Sequence, residues 1–125
     1  MPKAEVYYRQ NMLVPEEFLD NLGKFLPGLI AEQLSTTGTT LGPDNIELRF
    51  QPAGPRDKTI VDVGITISSG NSGERVLKLR DGGIQKIVHH LLVILPDEAT
   101  FYVWVSLGES VFVQVAPRTK EEAEV

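Results

Sequence analysis

One residue near the start of this chain carries a chemical group that ordinary side chains do not supply. Pro2 heads the run Met1-Pro2-Lys3-Ala4-Glu5-Val6-Tyr7-Tyr8, a β-branched and aromatic stretch that reads as a strand. Removal of Met1 leaves Pro2 at the N-terminus with a secondary amine that carries no acyl group. An unperturbed α-amino group titrates at about 7.7–8.0, so burial or a neighbouring cation turns it into a general base or nucleophile near neutral pH. With Met1 retained, the same nitrogen belongs to an amide and has no useful basicity. The plainer reading is that a proline here only opens an edge strand at a point where no N–H is needed.

Other chemistries find less support. The chain has no cysteine, hence no disulfide framework, no thiolate nucleophile and no zinc–cysteine site. His89 and His90 are adjacent on a predicted helix, point about 100° apart and do not suit one metal ion as neighbours; they read as surface residues beside an apolar stripe. The serines lack the spacing of a Ser-His-Asp arrangement and sit on no strand-turn-helix elbow. The 70–73 turn lacks the lysine of a phosphate loop, and Asp81 reads as a helix residue or cap. Neither a cofactor nor a metal is expected.

Composition narrows the partners. A formal net charge of -5 and a pI near 5.0, with no basic run, argue against nucleic acid or an anionic membrane surface. Lys3 and Glu5 interrupt the early apolar run, unlike a signal peptide, and the apolar run at 91–95 is far too short to cross a bilayer. The expectation is a soluble cytoplasmic protein. Its 125 residues, 42% hydrophobic, suit one domain over 1–116, followed by a flexible charged tail over 117–125.

The elements that would position Pro2 follow from periodicity. After the first strand, Pro15-Glu16-Glu17 makes a helix start, with proline in the first turn and acids at the positive end of the dipole. Phe18, Leu22, Phe25, Leu26, Leu29, Ile30 and Leu34 then form one apolar stripe. Pro27 lies inside it and predicts a kink or a split near residues 23–26. A Thr/Gly/Pro-rich loop over 35–45 leads to a strand in which Ile46, Leu48 and Phe50 alternate with Glu47, Arg49 and Gln51. A third strand sets Val61, Val63, Ile65 and Ile67 against Asp62, Gly64, Thr66 and Ser68. Residues 74–79 favour the start of a long helix that runs to Pro96, with a hairpin strand over 75–79 as the alternative, since Gly82 and Gly83 each weaken a helix by about 1 kcal/mol. Phe101, Val103, Val105 and Leu107 mark a fourth strand and residues 111–115 a short fifth.

The fold class expected is α+β: two consecutive β-α-β units forming a four-stranded sheet, two helices on one face, and a short C-terminal strand. Each unit has the length of a right-handed crossover that leaves its strands parallel. The uncovered sheet face carries Glu47, Arg49, Gln51, Asp62, Thr66, Tyr102 and Trp104, a mixture that points to a subunit interface or a lined channel.

This order of elements, with a proline at position 2, resembles the tautomerase superfamily, whose members use an amino-terminal proline. The outline extends from Pro2 to about Val115 and is most similar to the 5-carboxymethyl-2-hydroxymuconate isomerase branch. Its better local parts are Leu26-Pro27-Gly28-Leu29 with the loop after it, and Gly64-Ile65-Thr66-Ile67 leading to Arg75. Gln51-Pro52-Ala53-Gly54 resembles a stretch of the cis-3-chloroacrylic acid dehalogenase branch. The resemblance implies a homotrimer acting on a small carboxylate substrate, an enol or 2-oxo acid, with Pro2 as the base. It also implies cationic side chains from the second strand and from the loop before the second helix. The usual arginine position on the second strand is Glu47 here, with Arg49 two residues on; Arg75 is the loop candidate, and Tyr102 and Trp104 are candidates for a pocket wall. Glu47 would repel a carboxylate unless Arg49 pairs with it. A non-enzymatic ferredoxin-like module that binds a small ligand or a protein has the same element order, but it interleaves the strands of the two halves.

Overall fold

The computed structural model describes residues 2–70, 72–108 and 110–115. The tail predicted over 117–125 lies outside the described residues. Five strands, β1 (Lys3–Tyr8), β2 (Glu47–Pro52), β3 (Val63–Ser69), β4 (Phe101–Leu107) and β5 (Ser110–Val115), form one sheet in the order β2-β1-β3-β4-β5. β1 is parallel to β2, with Lys3 opposite Glu47, and antiparallel to β3, with Lys3 opposite Ser68. β4 runs parallel to β3, and β5 antiparallel to β4. Each β-α-β pair is therefore parallel and adjacent. The interleaved ferredoxin-like order is not formed, and the alternative built on it is set aside.

The alternating apolar positions decide which face is covered. Ala4 and Val6 of β1, Val63, Ile65 and Ile67 of β3, and Phe101, Val103, Val105 and Leu107 of β4 are all buried. They share one core with Phe18, Leu22, Leu26, Ile30 and Leu34 of α1 (Glu16–Leu34) and Ile87, Val88 and Leu91 of α3 (Ile84–Ile94). Each such Val, Leu, Ile or Phe side chain contributes about 1.5–3 kcal/mol by leaving water. The edge strand β2 is covered less well: Leu48 is half-buried and Phe50 is exposed.

Two helical expectations are corrected. α1 runs unbroken from Glu16 to Leu34 through Pro27, so the predicted split is absent. Pro27 has no N–H to give to the Gly23 carbonyl, but Gly23 is exposed to water, and the buried residues on both sides of Pro27 hold the axis together. Replacing Pro27 with Ala restores that hydrogen bond and a better helix propensity. The expected result is a midpoint raised by about 1 kcal/mol of stability in urea titration; a loss of that size would show instead that the proline ring is packed as a necessary part of the core.

The second helix is helical over 74–79, as favoured, but it is not continuous. α2 (Gly73–Lys78) starts on the Ser72 side chain, which accepts from the Arg75 N–H at 3.2 Å. The chain then leaves helical geometry in a wide turn over Leu79–Gly83, where Gly82 has φ of 126°, a region that L side chains avoid. α3 resumes at Ile84.

Candidate functional site

Pro2 is buried one residue before β1, and its carbonyl accepts the Glu47 N–H at 3.1 Å. Because β3 runs antiparallel to β1, its last residues, Ser68 and Ser69, lie at the same end of the sheet. Arg75 is latched there: Nη1 donates to Ser69 Oγ at 3.1 Å and to the Gly70 carbonyl at 3.0 Å, and Nε donates to the Leu34 carbonyl at 2.8 Å at the end of α1. One guanidinium thus joins α1, β3 and the start of α2. Its two Nη2 protons have no partner among the described residues and can receive an anion without breaking the latch.

The same end is framed by the loop between α1 and β2. The Glu74 carboxylate accepts from both the backbone and the hydroxyl of Thr37. Those two hydrogen bonds, the hydroxyl's first, hold the Glu74 carboxyl below its ordinary pKa. Lys78 donates from Nζ to the Ser35 carbonyl at 3.1 Å, so α2 and the loop are tied at two points.

The remaining predicted site residues are not gathered around Pro2. Arg49 lies opposite Glu5, three positions along β2 from the residue aligned with Pro2. Its Nη2 donates to Glu47 Oε1 at 3.0 Å and its Nε to the same oxygen at 3.3 Å. This pairing is the condition under which Glu47 would not repel a carboxylate, and it also occupies Arg49. Both side chains are exposed, so the pair contributes little to stability. Lys3, 3.6 Å from Glu5, extends this charged row. The Glu5 carboxyl is held below its usual range chiefly by the Tyr7 hydroxyl, with Lys3 and Arg49 helping, and the Tyr7 hydroxyl is raised in turn.

Trp104 stands opposite Thr66 and Val113 in the middle of the open face and is 44% exposed. Tyr102 lies nearer the opposite end of the sheet from Pro2, opposite Gly64, which in turn pairs with Tyr7. Its ring lies over Gly64: a Cβ there would come within 2.7 Å of the ring Cζ and hydroxyl. With Tyr7, Gln51 and residues of the segment 53–62, Tyr102 lines a cavity of about 490 Å³.

Asp62, expected on the open face, is instead 4% exposed. Its Oδ2 accepts from the Thr100 N–H at 2.8 Å and the Thr100 hydroxyl at 3.1 Å, and its Oδ1 accepts from Arg9 at 3.3 Å and Asn11 at 3.4 Å. Burial pushes its pKa up, but the hydrogen bonds from Thr100 and Asn11, with the Arg9 charge, outweigh it and leave it lowered. Arg9 also donates to the Thr59 hydroxyl and carbonyl. Neither Arg9 nor Asp62 carries a local motif; the signal is the contact across 53 residues, which sequence spacing does not reveal.

His89 and His90 are exposed, as expected. No group of three or more metal-ligating side chains occurs among the described residues, and no helix among them is long and apolar enough to cross a membrane.

No protein-family model and no curated protein matches the chain. Its fold is shared with solved structures. A probable enzyme from the thermophilic fungus Aspergillus fumigatus superposes with a TM-score of 0.61 over 86% of this chain and 76% of that one, at 18% identity. A member of the cis-3-chloroacrylic acid dehalogenase family superposes with a TM-score of 0.57 over 98% of this chain and 88% of that one, at 16% identity.

Proposed function

We propose that the chain is a tautomerase-like enzyme in which the free amine of Pro2, after removal of Met1, transfers a proton on a small enol or 2-oxo acid. The observation that supports it most is the placement of Pro2 and the latched Arg75 at the same end of the sheet, on the fold of a cis-3-chloroacrylic acid dehalogenase family member. An amine beside a fixed guanidinium is harder to protonate, because adding a proton next to a cation is unfavourable. In its neutral form it takes a proton from the carbon next to a carbonyl and returns it elsewhere. Arg75, through its unengaged Nη2, holds the carboxylate and stabilises the enolate that develops.

Arg49 has a secondary part in this reading, since Glu47 already holds it. Tyr102 and Trp104 act on the substrate only if a second copy brings them to Pro2. The finer sequence resemblance, to the 5-carboxymethyl-2-hydroxymuconate isomerase branch, makes a 2-hydroxymuconate the second substrate to test after phenylenolpyruvate. The test is the rate of ketonisation by Met1-free protein compared with the Met1-bearing form.

The reading carries an assembly with it. The open face combines Trp104 and Val113, both exposed, with the Lys3, Glu5, Glu47 and Arg49 charges, and an exposed apolar patch of this kind is stabilised by a like surface. Sedimentation equilibrium at micromolar concentration should give a homotrimer. A monomer would count against the tautomerase reading, because the face would then have no partner.

A further inference from the structure

Proline chemistry leaves the cavity at the opposite end of the sheet without a role. Its volume of about 490 Å³ falls within the range of small-molecule sites. One wall is the open sheet face, with Tyr7 and Tyr102; the other is the segment 53–62. That segment is fixed before any ligand arrives. The Ala53 N–H donates to the Tyr8 carbonyl at 2.8 Å, the Gly54 N–H donates to Asp57 Oδ2 at 2.6 Å, and Arg9 Nε donates to the Thr59 hydroxyl at 2.6 Å. A preformed wall spares a ligand the cost of ordering it.

The lining also holds polar groups that the fold does not use. The hydroxyls of Tyr8 and Tyr102, the Gln51 amide and the Lys58 ammonium have no hydrogen-bond partner among the described residues. Arg9 commits its Nε and one proton on each Nη to Thr59 and Asp62, which leaves two of its N–H groups. Asp62 is engaged by Arg9 and Asp57 is turned onto the Gly54 N–H, so Lys58 is a cation in the lining with no ion-pair partner among the described residues. Ile60, 88% exposed, stands in the same lining, an apolar side chain that only an occupant would cover.

We infer that this cavity binds a small planar aromatic molecule carrying one carboxylate. The ring packs on Tyr7, Tyr102 and Ile60, and the carboxylate meets Lys58 and the remaining Arg9 N–H groups. Four residues of β1 lie between Pro2 and Tyr7, the first β1 residue of the lining, a separation of roughly 17 Å at the rise of a strand. Within one chain the two places therefore do not share a small ligand, and the inference stands whether or not Pro2 is catalytic.

The test uses the full chain and phenylacetate, with benzyl alcohol as the uncharged counterpart, followed by calorimetry and by amide shifts in NMR. Phenylacetate should bind one per chain with a Kd near or below about 1 mM, with shifts centred on Tyr7, Arg9, Ile60 and Tyr102. Met1-bearing and Met1-free protein should show the same shifts at these four residues, so that any binding at Pro2 and Arg75 is read separately. Lys58→Gln, a change at an exposed position that does not threaten the fold, should weaken phenylacetate about tenfold by removing a charge-assisted hydrogen bond and leave benzyl alcohol unchanged. Tyr102→Leu should weaken both. Absence of saturation, equal phenylacetate affinity in Lys58→Gln, or shifts centred on Pro2 and lost when Met1 is retained would each overturn the inference.

Discussion

Met1-free protein should ketonise phenylenolpyruvate at least about 100-fold above the buffer rate, the lower end of what a positioned general base supplies. The Met1-bearing form should show none of that excess. The two samples differ by one residue at the very end of the chain, and Pro2 in either form heads the same strand. The comparison therefore separates loss of the amine from loss of the fold. Circular dichroism and thermal midpoint should agree between them. Pro2→Ala on a processed chain keeps a primary amine of different basicity, so a partial loss of rate is expected there and is the less decisive result. Equal rates in the Met1-bearing and Met1-free proteins would show that Pro2 is not the base.

The arginines should separate in the same assay. Arg49→Gln removes a side chain that already pairs with Glu47 on an exposed face and should change KM by a small factor. Arg75 is different, since its guanidinium latches Leu34, Ser69 and Gly70. Its replacement should lower both rate and stability, and only a loss of rate beyond the loss of folded protein counts toward substrate binding.

What the sequence made legible follows a physical rule. Strands with one buried face, such as Val63 to Ile67 and Phe101 to Leu107, announce themselves by a two-residue period, and the α1 stripe does so by its three- and four-residue spacing. The parallel pairing within each β-α-β unit follows from crossover length. The unbroken course of α1 through Pro27 was not legible, because the buried side chains on both sides overrode a local preference. Nor was the turn at Gly82, which depends on a single positive φ. For the site, the chemistry of Pro2 could be named from the residue alone, and Arg75 followed from the resemblance. The separation of Tyr102 from Pro2 could not, since it requires the register between β1, β3 and β4. The cavity behind Tyr102 depends on an irregular segment, over 53–62, that has no periodicity to read.

Asp62 leads to the largest expected effect on stability. Alternation assigned it to the polar face, yet it precedes β3, and its carboxylate gathers Thr100, Arg9 and Asn11 around one buried point. Asp62→Ala leaves the Thr100 N–H and hydroxyl without their acceptor and Arg9 without its counter-charge. The expected loss is about 2–4 kcal/mol, from unsatisfied buried donors and a broken ion pair. Asp62→Asn preserves shape but turns an N–H₂ toward donors, and should fall between the two. The pH dependence gives the sharper check. The folded-state pKa of Asp62 is lowered relative to the unfolded chain, so its ionisation contributes stability that is fully present above the unfolded carboxyl pKa of about 3.9. That contribution fades as pH falls through the lower folded value. Urea titrations of wild type and Asp62→Asn should therefore differ by a constant amount between about pH 5 and 7 and converge below about pH 4. A difference that stays the same at pH 3 would mean that packing at this position, and not the ionised carboxylate, holds the ends of β1, β3 and β4 together.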